Sequence, residues 1–357
     1  MPINLANMVK ARYRCPNCGF TTDAEYWMYR CPRCGAPLDL EYEPRKPRSL
    51  TRGELSRVLP VKEPLSLGEG LTPLVKRGEY YFKLEYVNPT GSFKDRGWSA
   101  ALAPFDRGIV VVEDSSGNAG LSLAAYSAFW GFRARIYVPS TAPEWKKNAI
   151  RLLGATVIEA PTRADAASLA MSYSEGTYVG HSWNPIFIHG VKLIAYEIAL
   201  ELGEVDYVVA PLGNGTLMLG LYQGFREAVE LGIIKDMPSL IGVEASGYEW
   251  AYSRLYGAPR GVQARLPDGI AVPEPPRLSE IIKAIKETGG EVLVASDSDV
   301  VEGLKEAYRL GFLIEPTSAV VFKARDVVKG RPVFILTGSG LKSIRDVYGL
   351  VRGLDNS

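Results

Sequence analysis

Glutamine occurs at only two of 357 positions, 223 and 263, and no cysteine follows position 34. So few thermolabile amides fit a hot-living source. No apolar run reaches the length of a membrane span, and Met1 to Arg14 lacks the apolar stretch of a secretory leader. A cytoplasmic protein with no membrane partner is therefore expected. Neither sign of charge is in excess: 41 basic against 40 acidic side chains leave a net charge of +1. That balance removes the electrostatic case for a nucleic-acid partner. Internal repeats and low-complexity segments are absent as well. What remains is 46% hydrophobic and 23% charged, the composition of an ordinary globular protein. The length exceeds one simple core and predicts two or three domains.

The four cysteines form two knuckles, Cys15-Pro16-Asn17-Cys18-Gly19 and Cys31-Pro32-Arg33-Cys34-Gly35. This spacing is that of a zinc ribbon. The glycine after each pair lets the backbone turn its N–H groups toward the sulfurs. Four thiolates leave no open position, so Cys15, Cys18, Cys31 and Cys34 predict a structural metal. A rubredoxin-like iron site shares the pattern, and two disulfides are the weaker reading for a cytoplasmic chain. After the ribbon, Glu43 to Arg48 is a charged, proline-bearing linker that cannot continue a helix.

Residues 88–97, Asn-Pro-Thr-Gly-Ser-Phe-Lys-Asp-Arg-Gly, are the most informative stretch. A turn containing Asn88, Pro89, Thr90 and Gly91 leads into helix-like pattern, so Lys94 falls in the first turn of a helix. The dipole there repels an ammonium. The position suits an amine that must be neutral or carried as a Schiff base. Residues 113–120, Glu-Asp-Ser-Ser-Gly-Asn-Ala-Gly, join an apolar strand to a helix start, where backbone N–H groups can gather an anion such as a carboxylate. Leu212-Gly213-Asn214-Gly215-Thr216 does the same after Tyr207–Pro211. It lacks the Gly-x-Gly-x-x-Gly fingerprint and the lysine ending of a P-loop, so a monophosphate fits better than a nucleotide. A fourth glycine turn, Thr337-Gly338-Ser339-Gly340, follows the strand-like Val333–Leu336.

Strand-like runs at 109–113, 134–138, 155–159 and 177–180 alternate with helix-like runs at 118–130, 145–153 and 163–174. A second series places strands near 207–210, 239–244, 292–295 and 333–336, with helices at 191–202, 278–287 and 299–310. Such alternation predicts α/β architecture with open parallel sheets, and all four motifs fall at the carboxyl ends of strands. The expected divisions are a ribbon over 1–45, and a linker with the first part of a large lobe over 46–107. A small lobe over 108–185 and the rest of the large lobe over 186–357 complete them.

The four motifs, in this order, resemble those of threonine synthases within the fold type II (tryptophan-synthase-like) family of pyridoxal-phosphate enzymes. The cysteine ribbon resembles the start of archaeal threonine synthases. Gly190-Val191-Lys192-Leu193-Ile194-Ala195-Tyr196-Glu197-Ile198 and Glu315-Pro316-Thr317-Ser318-Ala319 are also similar to threonine synthase segments. The resemblance implies two open parallel-sheet lobes with the cofactor, pyridoxal 5'-phosphate, between them. It implies Lys94 as the Schiff-base and proton-transfer residue and Asn118 at the cofactor's phenolic oxygen. Gly213, Asn214, Gly215 and Thr216 would hold the cofactor phosphate, and Thr337 would lie beside the pyridine nitrogen. A hydroxyl there does not hold the ring protonated as an aspartate would, which suits elimination and replacement of a leaving group. Ser92, Ser115, Ser116, Gly117, Ala119 and Ser182 would bind the amino-acid substrate. A homodimer is implied in the same way.

Three departures from the threonine synthase pattern concern the substrate. His181-Ser182-Trp183-Asn184-Pro185-Ile186-Phe187 stands where the family resembles Asn-Ser-x-Asn-Pro-x-Arg, so an aromatic ring replaces a phosphate-binding guanidinium. Ser339 replaces a histidine, and Asp268-Gly269-Ile270-Ala271-Val272 looks more like serine and threonine dehydratases. The implied reaction is conversion of O-phosphohomoserine and water to threonine and phosphate. Dehydration of threonine or serine, and β-replacement on serine or phosphoserine, stay open beside it. A binding protein built on an inactive scaffold is the remote alternative.

Overall fold

The structure, a computed structural model, describes residues 3–115, 117–258, 260–344 and 347–349. The chain forms two compact units, Met1–Glu69 with Lys94–Val191, and Gly70–Phe93 with Lys192–Ser357.

The first unit begins with a three-stranded antiparallel sheet in which Arg12–Arg14 is flanked by Thr21–Asp23 and Asp39–Glu41. Its main sheet is parallel and has four strands, in the order Thr156–Ala160, Arg133–Pro139, Val110–Glu113, Thr177–Tyr178. The helices Asn118–Trp130, Glu144–Leu152 and Arg163–Ser172 connect successive strands. Runs such as Val110-Val111-Val112 suit strands covered on both faces. Val112, Tyr137, Ala160, Ala166, Ala170 and Tyr178 pack into one core under this sheet. Thr162 and Asp165 close the start of one crossover helix as a reciprocal capping box.

The second unit carries a six-stranded sheet. Its order is Glu291–Ala295, Ser239–Ala245, Tyr207–Pro211, Pro332–Ile335, Tyr80–Lys83, Leu74–Arg77. All pairings are parallel except the edge hairpin Leu74–Arg77 with Tyr80–Lys83. Phe82, on the strand next to this edge, packs 4.9 Å from Phe312 and 5.5 Å from Phe334 between ring centroids. A buried ion pair, Lys83 Nζ to Glu197 Oε2 at 2.6 Å, lies beneath the hairpin. Lys83 also donates to the Thr72 carbonyl, and Glu197 accepts from the Leu71 amide at 2.8 Å. Leu71 has φ +48°, a left-handed backbone that a leucine adopts at a cost, and this network holds it there.

The strand and helix expectations agree with these elements to within a few residues, with one difference. The stretch expected as a helix over 191–202 is divided into Pro185–Val191 and Leu193–Leu202. Between them Lys192 sends its ammonium to the buried Glu227 at 2.5 Å.

Candidate active site

Lys94 is the first residue of the helix Lys94–Ala101, as the turn chemistry before it predicts. Asn118 likewise opens Asn118–Trp130, whose N-cap, Gly117, supplies no side-chain cap. Two contacts fix these helices together within the first unit. Trp98 donates from Nε1 to the Ala119 carbonyl at 2.9 Å, and Ser122 Oγ donates to Asp95. The turn before Asn118 is tight: the Gly117 amide donates to Ser115 Oγ at 3.3 Å, and a Cβ on Gly120 would strike the Ser115 carbonyl oxygen at 1.9 Å. Only glycine fits there, a requirement the motif reading left unstated. Ser116 lies outside the described residues.

Phe187 forms the other wall around Lys94. Its ring is fully buried, and Lys94 Nζ lies 5.6 Å from its centroid. Ring contacts to Trp98 at 5.0 Å and His181 at 5.7 Å hold it edge-on. Asn184 caps its helix by accepting from the Ile186 and Phe187 amides at 2.9 and 3.2 Å. Packing against Lys94–Ala101 is close enough to need Gly97, where a Cβ would meet Phe187 ring atoms at 2.3 Å. An ammonium over an aromatic face gains on the order of 0.5–2 kcal/mol. Phe187 thus offsets part of the dipole's repulsion at the helix start.

Three side chains could replace the phosphate donor that the family pattern places at position 187: His189, Arg96 and His181. His189 sets Nδ1 3.3 Å from Tyr42 Oη, whose own proton goes to the Val58 carbonyl, and Nε2 3.1 Å from the Leu40 carbonyl, so the ribbon uses both its nitrogens. Arg96 is buried in the helix that Lys94 begins. His181 is held by Glu113: Nδ1 lies 2.9 Å from Oε1, and the His181 amide donates to Oε2 at 2.9 Å. Burial, and next the charge of Lys94, push the imidazole below its ordinary value against the pull of Glu113. A neutral ring backed by a carboxylate is a poor phosphate donor. Glu113 was not singled out by sequence, although it ends the strand just before the anion-gathering turn. Its neighbour Asp114 is pushed up to about 7 by burial and by the Glu113 charge, and accepts from Tyr178 Oη at 2.9 Å. Ser182, the expected substrate contact, is buried one residue beyond His181.

The second unit carries the remaining expected residues in two places. Gly215, at φ +82°, is the N-cap of the 15-residue helix Thr216–Glu230 and brings no side-chain cap. A Cβ on Gly213 would lie 2.9 Å from Ile270 Cα, and one on Gly215 would lie 2.3 Å from Ile281 Cδ1. Both glycines are therefore demanded by space, and the helix start they shape is an anion site in general form. The second place joins two distant segments. Ser92 and Gly338 form an antiparallel bridge, Phe93 N donates to the Thr337 carbonyl at 3.1 Å, and Ser339 N donates to Gly91 at 2.9 Å. Ser92 is fully buried and its Oγ has no hydrogen-bond partner, an orphaned hydroxyl where a ligand atom fits. Thr337 Oγ1 lies 2.8 Å from Ser318 Oγ, which also accepts from Gly338 N at 2.9 Å. Ser318 stands in the segment 315–319 quoted above, yet its pairing with Thr337 had no local signal.

The four cysteine sulfurs lie within 4.8 Å of one another and are unbridged. Cys15–Cys34 and Cys18–Cys31 are 3.5 and 3.6 Å apart. Tetrahedral thiolates at about 2.3 Å from a zinc ion would be about 3.8 Å apart, so the cluster fits a metal of that size. Gly19 and Gly35 take φ +71° and +76°, the left-handed turn that each knuckle requires. The Ala36 amide, the largest influence on Cys34, lowers its thiol to about 6.

A family model described as pyridoxal-phosphate dependent enzyme matches residues 65–338. Threonine synthase of Methanosarcina acetivorans is 32% identical over 74% of this chain and 71% of its own. The corresponding protein of Methanocaldococcus jannaschii is also 32% identical, over 80% of this chain and 78% of its own. Among solved structures, a fungal L-serine ammonia-lyase from Rhizomucor miehei matches with TM-score 0.67 and 22% identity, over 78% of this chain and 98% of that one. That likeness concerns the fold. Among the described residues no helix is long and apolar enough to cross a membrane. The chain belongs to the pyridoxal-phosphate dependent enzymes of fold type II and is threonine synthase-like.

Proposed function

We propose that the chain is a carbon–oxygen lyase converting O-phosphohomoserine and water to threonine and phosphate. Likeness to threonine synthases along some four-fifths of the chain carries this reading, together with a lysine seated at the helix start that the family motif requires. Pyridoxal phosphate, when bound, supplies the electron sink for bonds broken at the substrate's α-carbon. Lys94 would hold it covalently, Gly213 to Thr216 would take its phosphate, and Thr337, oriented by Ser318, would face its ring nitrogen. Asn118 would meet its phenolic oxygen. The turn Ser115 to Ala119 and Ser92 would bind the amino acid through its carboxylate and amine. The Lys94 amine would also carry protons between substrate carbons at Nζ. The buried ring of Phe187, 5.6 Å from Nζ, would shield that amine from stray water on one side.

A second reading rests on Phe187. A buried ring beside Lys94 where threonine synthases carry a guanidinium, with His181 neutral and backed by Glu113, favours dehydration of threonine or serine, or β-replacement on serine or phosphoserine. Zinc is the proposed occupant of the four cysteines, and a cytoplasmic homodimer accompanies the reading by family resemblance. The test offers phosphohomoserine, phosphoserine, threonine and serine separately, measuring phosphate, threonine and 2-oxoacid. Borohydride reduction with peptide mass mapping accompanies it. Threonine formed from phosphohomoserine, with the cofactor's mass on Lys94 and both lost in Lys94→Ala, is the expected result. Phosphate release confined to phosphoserine, or 2-oxoacid from serine alone, replaces it with the second reading. Full turnover by Lys94→Ala refutes both.

A further inference from the structure

The ribbon is joined to the active-site wall by side chains that lie between and just after its metal knuckles. Trp27, between the knuckles, donates from Nε1 to the Tyr178 carbonyl at 2.9 Å and packs edge-on against Phe105. Tyr29 lies 5.0 Å from the Tyr178 ring and 6.2 Å from that of Trp183. Arg30, next to Cys31, sets its guanidinium 5.7 Å over the Trp183 ring while its Nε donates to the Gly35 carbonyl of the second knuckle at 3.1 Å. The strand Asp39–Glu41 and Tyr42 hold His189 at both nitrogens.

Each target is one step from a site residue. Tyr178 Oη binds Asp114, which begins the turn leading to Asn118. Trp183 lies between Ser182 and the capping residue Asn184, and His189 is on the same helix as Phe187, the ring facing Lys94. Two physical arms therefore run from the knuckles, one to the anion-gathering turn and one to the Phe187 helix.

We infer that Trp27, Tyr29 and Arg30 are positioning residues for the catalytic wall, and that the thiolate-bound metal acts on the site through them. The second knuckle closes on the same segment, with Cys31 N donating to the Ala36 carbonyl and Leu38 N to the Tyr29 carbonyl, so the geometry at the knuckle metal sets where these three side chains stand. The claim about catalysis rests on the proposed function; the claim about positioning does not.

The test compares the unmodified protein with Trp27→Phe, Arg30→Ala and Cys31→Ser. It measures metal content by elemental analysis and hydrogen–deuterium exchange of residues 178–189 and 114–119. Trapping of pyridoxal phosphate on Lys94 and turnover complete the set. Trp27→Phe removes the indole N–H while keeping an aromatic ring to pack against Phe105. It and Arg30→Ala should keep their metal, exchange faster in both segments and lose roughly two- to thirtyfold in turnover, the range of coupling through a packed network. Cys31→Ser should lose metal and show the same pattern more strongly. Loss of metal from Cys31→Ser with unchanged exchange at 178–189, or unchanged exchange in Trp27→Phe and Arg30→Ala, overturns the inference. Should the unmodified protein trap no cofactor, the functional reading falls and the exchange data alone decide the positioning claim.

Discussion

Gly97→Ala sets two effects of opposite sign against each other. A glycine inside a helix costs about 1 kcal/mol relative to alanine, so propensity alone predicts a stabilised protein. Space predicts the reverse. The new Cβ would lie 2.3 Å from Cε2 and Cζ of Phe187 and 2.5 Å from Cδ2, whereas carbons in contact sit about 3.5–4 Å apart. One group must therefore move by more than roughly 1 Å to reach ordinary contact. Phe187 has nowhere to go, being fully buried between Trp98 and His181 on a helix capped by Asn184. Overpacking of this kind costs about 1–3 kcal/mol, which exceeds the propensity gain. The net expectation is a loss of up to about 2 kcal/mol in urea unfolding. Activity should suffer more than stability, because a shift of about 1 Å beside a reacting group can cost on the order of a hundredfold. Turnover and cofactor trapping on Lys94 would be measured with the unfolding curve. A variant that is more stable by about 1 kcal/mol and fully active would refute the packing argument. Gly190→Ala offers the harsher comparison, since its Cβ would meet the Arg96 carbonyl oxygen, a backbone atom, at 2.2 Å.

Ser92→Ala removes a buried hydroxyl without a partner. An unsatisfied group costs about 1–3 kcal/mol, so the cofactor-free protein should melt higher, while affinity for cofactor or substrate falls; unchanged affinity would assign Ser92 no ligand role. Asp114, half-buried and pushed up to about 7, disfavours the folded state once ionised. Since the folded carboxyl keeps its proton longer than the unfolded one, stability is highest below about pH 4 and declines until about pH 7, by at most about 4 kcal/mol. Asp114→Asn should flatten that decline in unfolding measured from pH 4 to 8, and an unaltered pH profile would count against the shift. Below about pH 6.5, the depressed His181 gives the opposite slope, so its variant serves as the control.

Much of this protein is legible in the chain because its elements are punctuated locally. Valine-rich runs end at Gly, Pro or Asp, and the structure starts and stops its strands there, as at Val110–Glu113 and Tyr207–Pro211. Lys94 and Asn118 were placed at helix starts because turn formers precede both. What escaped is made by side chains far apart in sequence. Glu113 meets His181 across 68 residues, and Trp27 meets Tyr178 across 151. Neither leaves a period or a spacing to read. Phe187 could be noticed as an unexpected ring, but its contact with Lys94 depends on Gly97, whose need for no side chain appears only once the two helices are packed.

The edge of the larger sheet also has a consequence for how the protein is made. Tyr80–Lys83 pairs on its inner side with Pro332–Ile335, in the register Tyr81 to Val333, a separation of 333 − 81 = 252 residues. A ribosome adding about 5–20 residues per second needs roughly 13–50 s to span that interval. Residues 94–191, with their own parallel sheet, emerge complete during the wait. The nascent strand Tyr80–Lys83, carrying the core ring of Phe82, must meanwhile stay extended with one unpaired edge, the exposure that invites pairing with another chain. Folding of the second unit is thus timed by its last strand, and a chain truncated before Pro332 would leave that edge open for good.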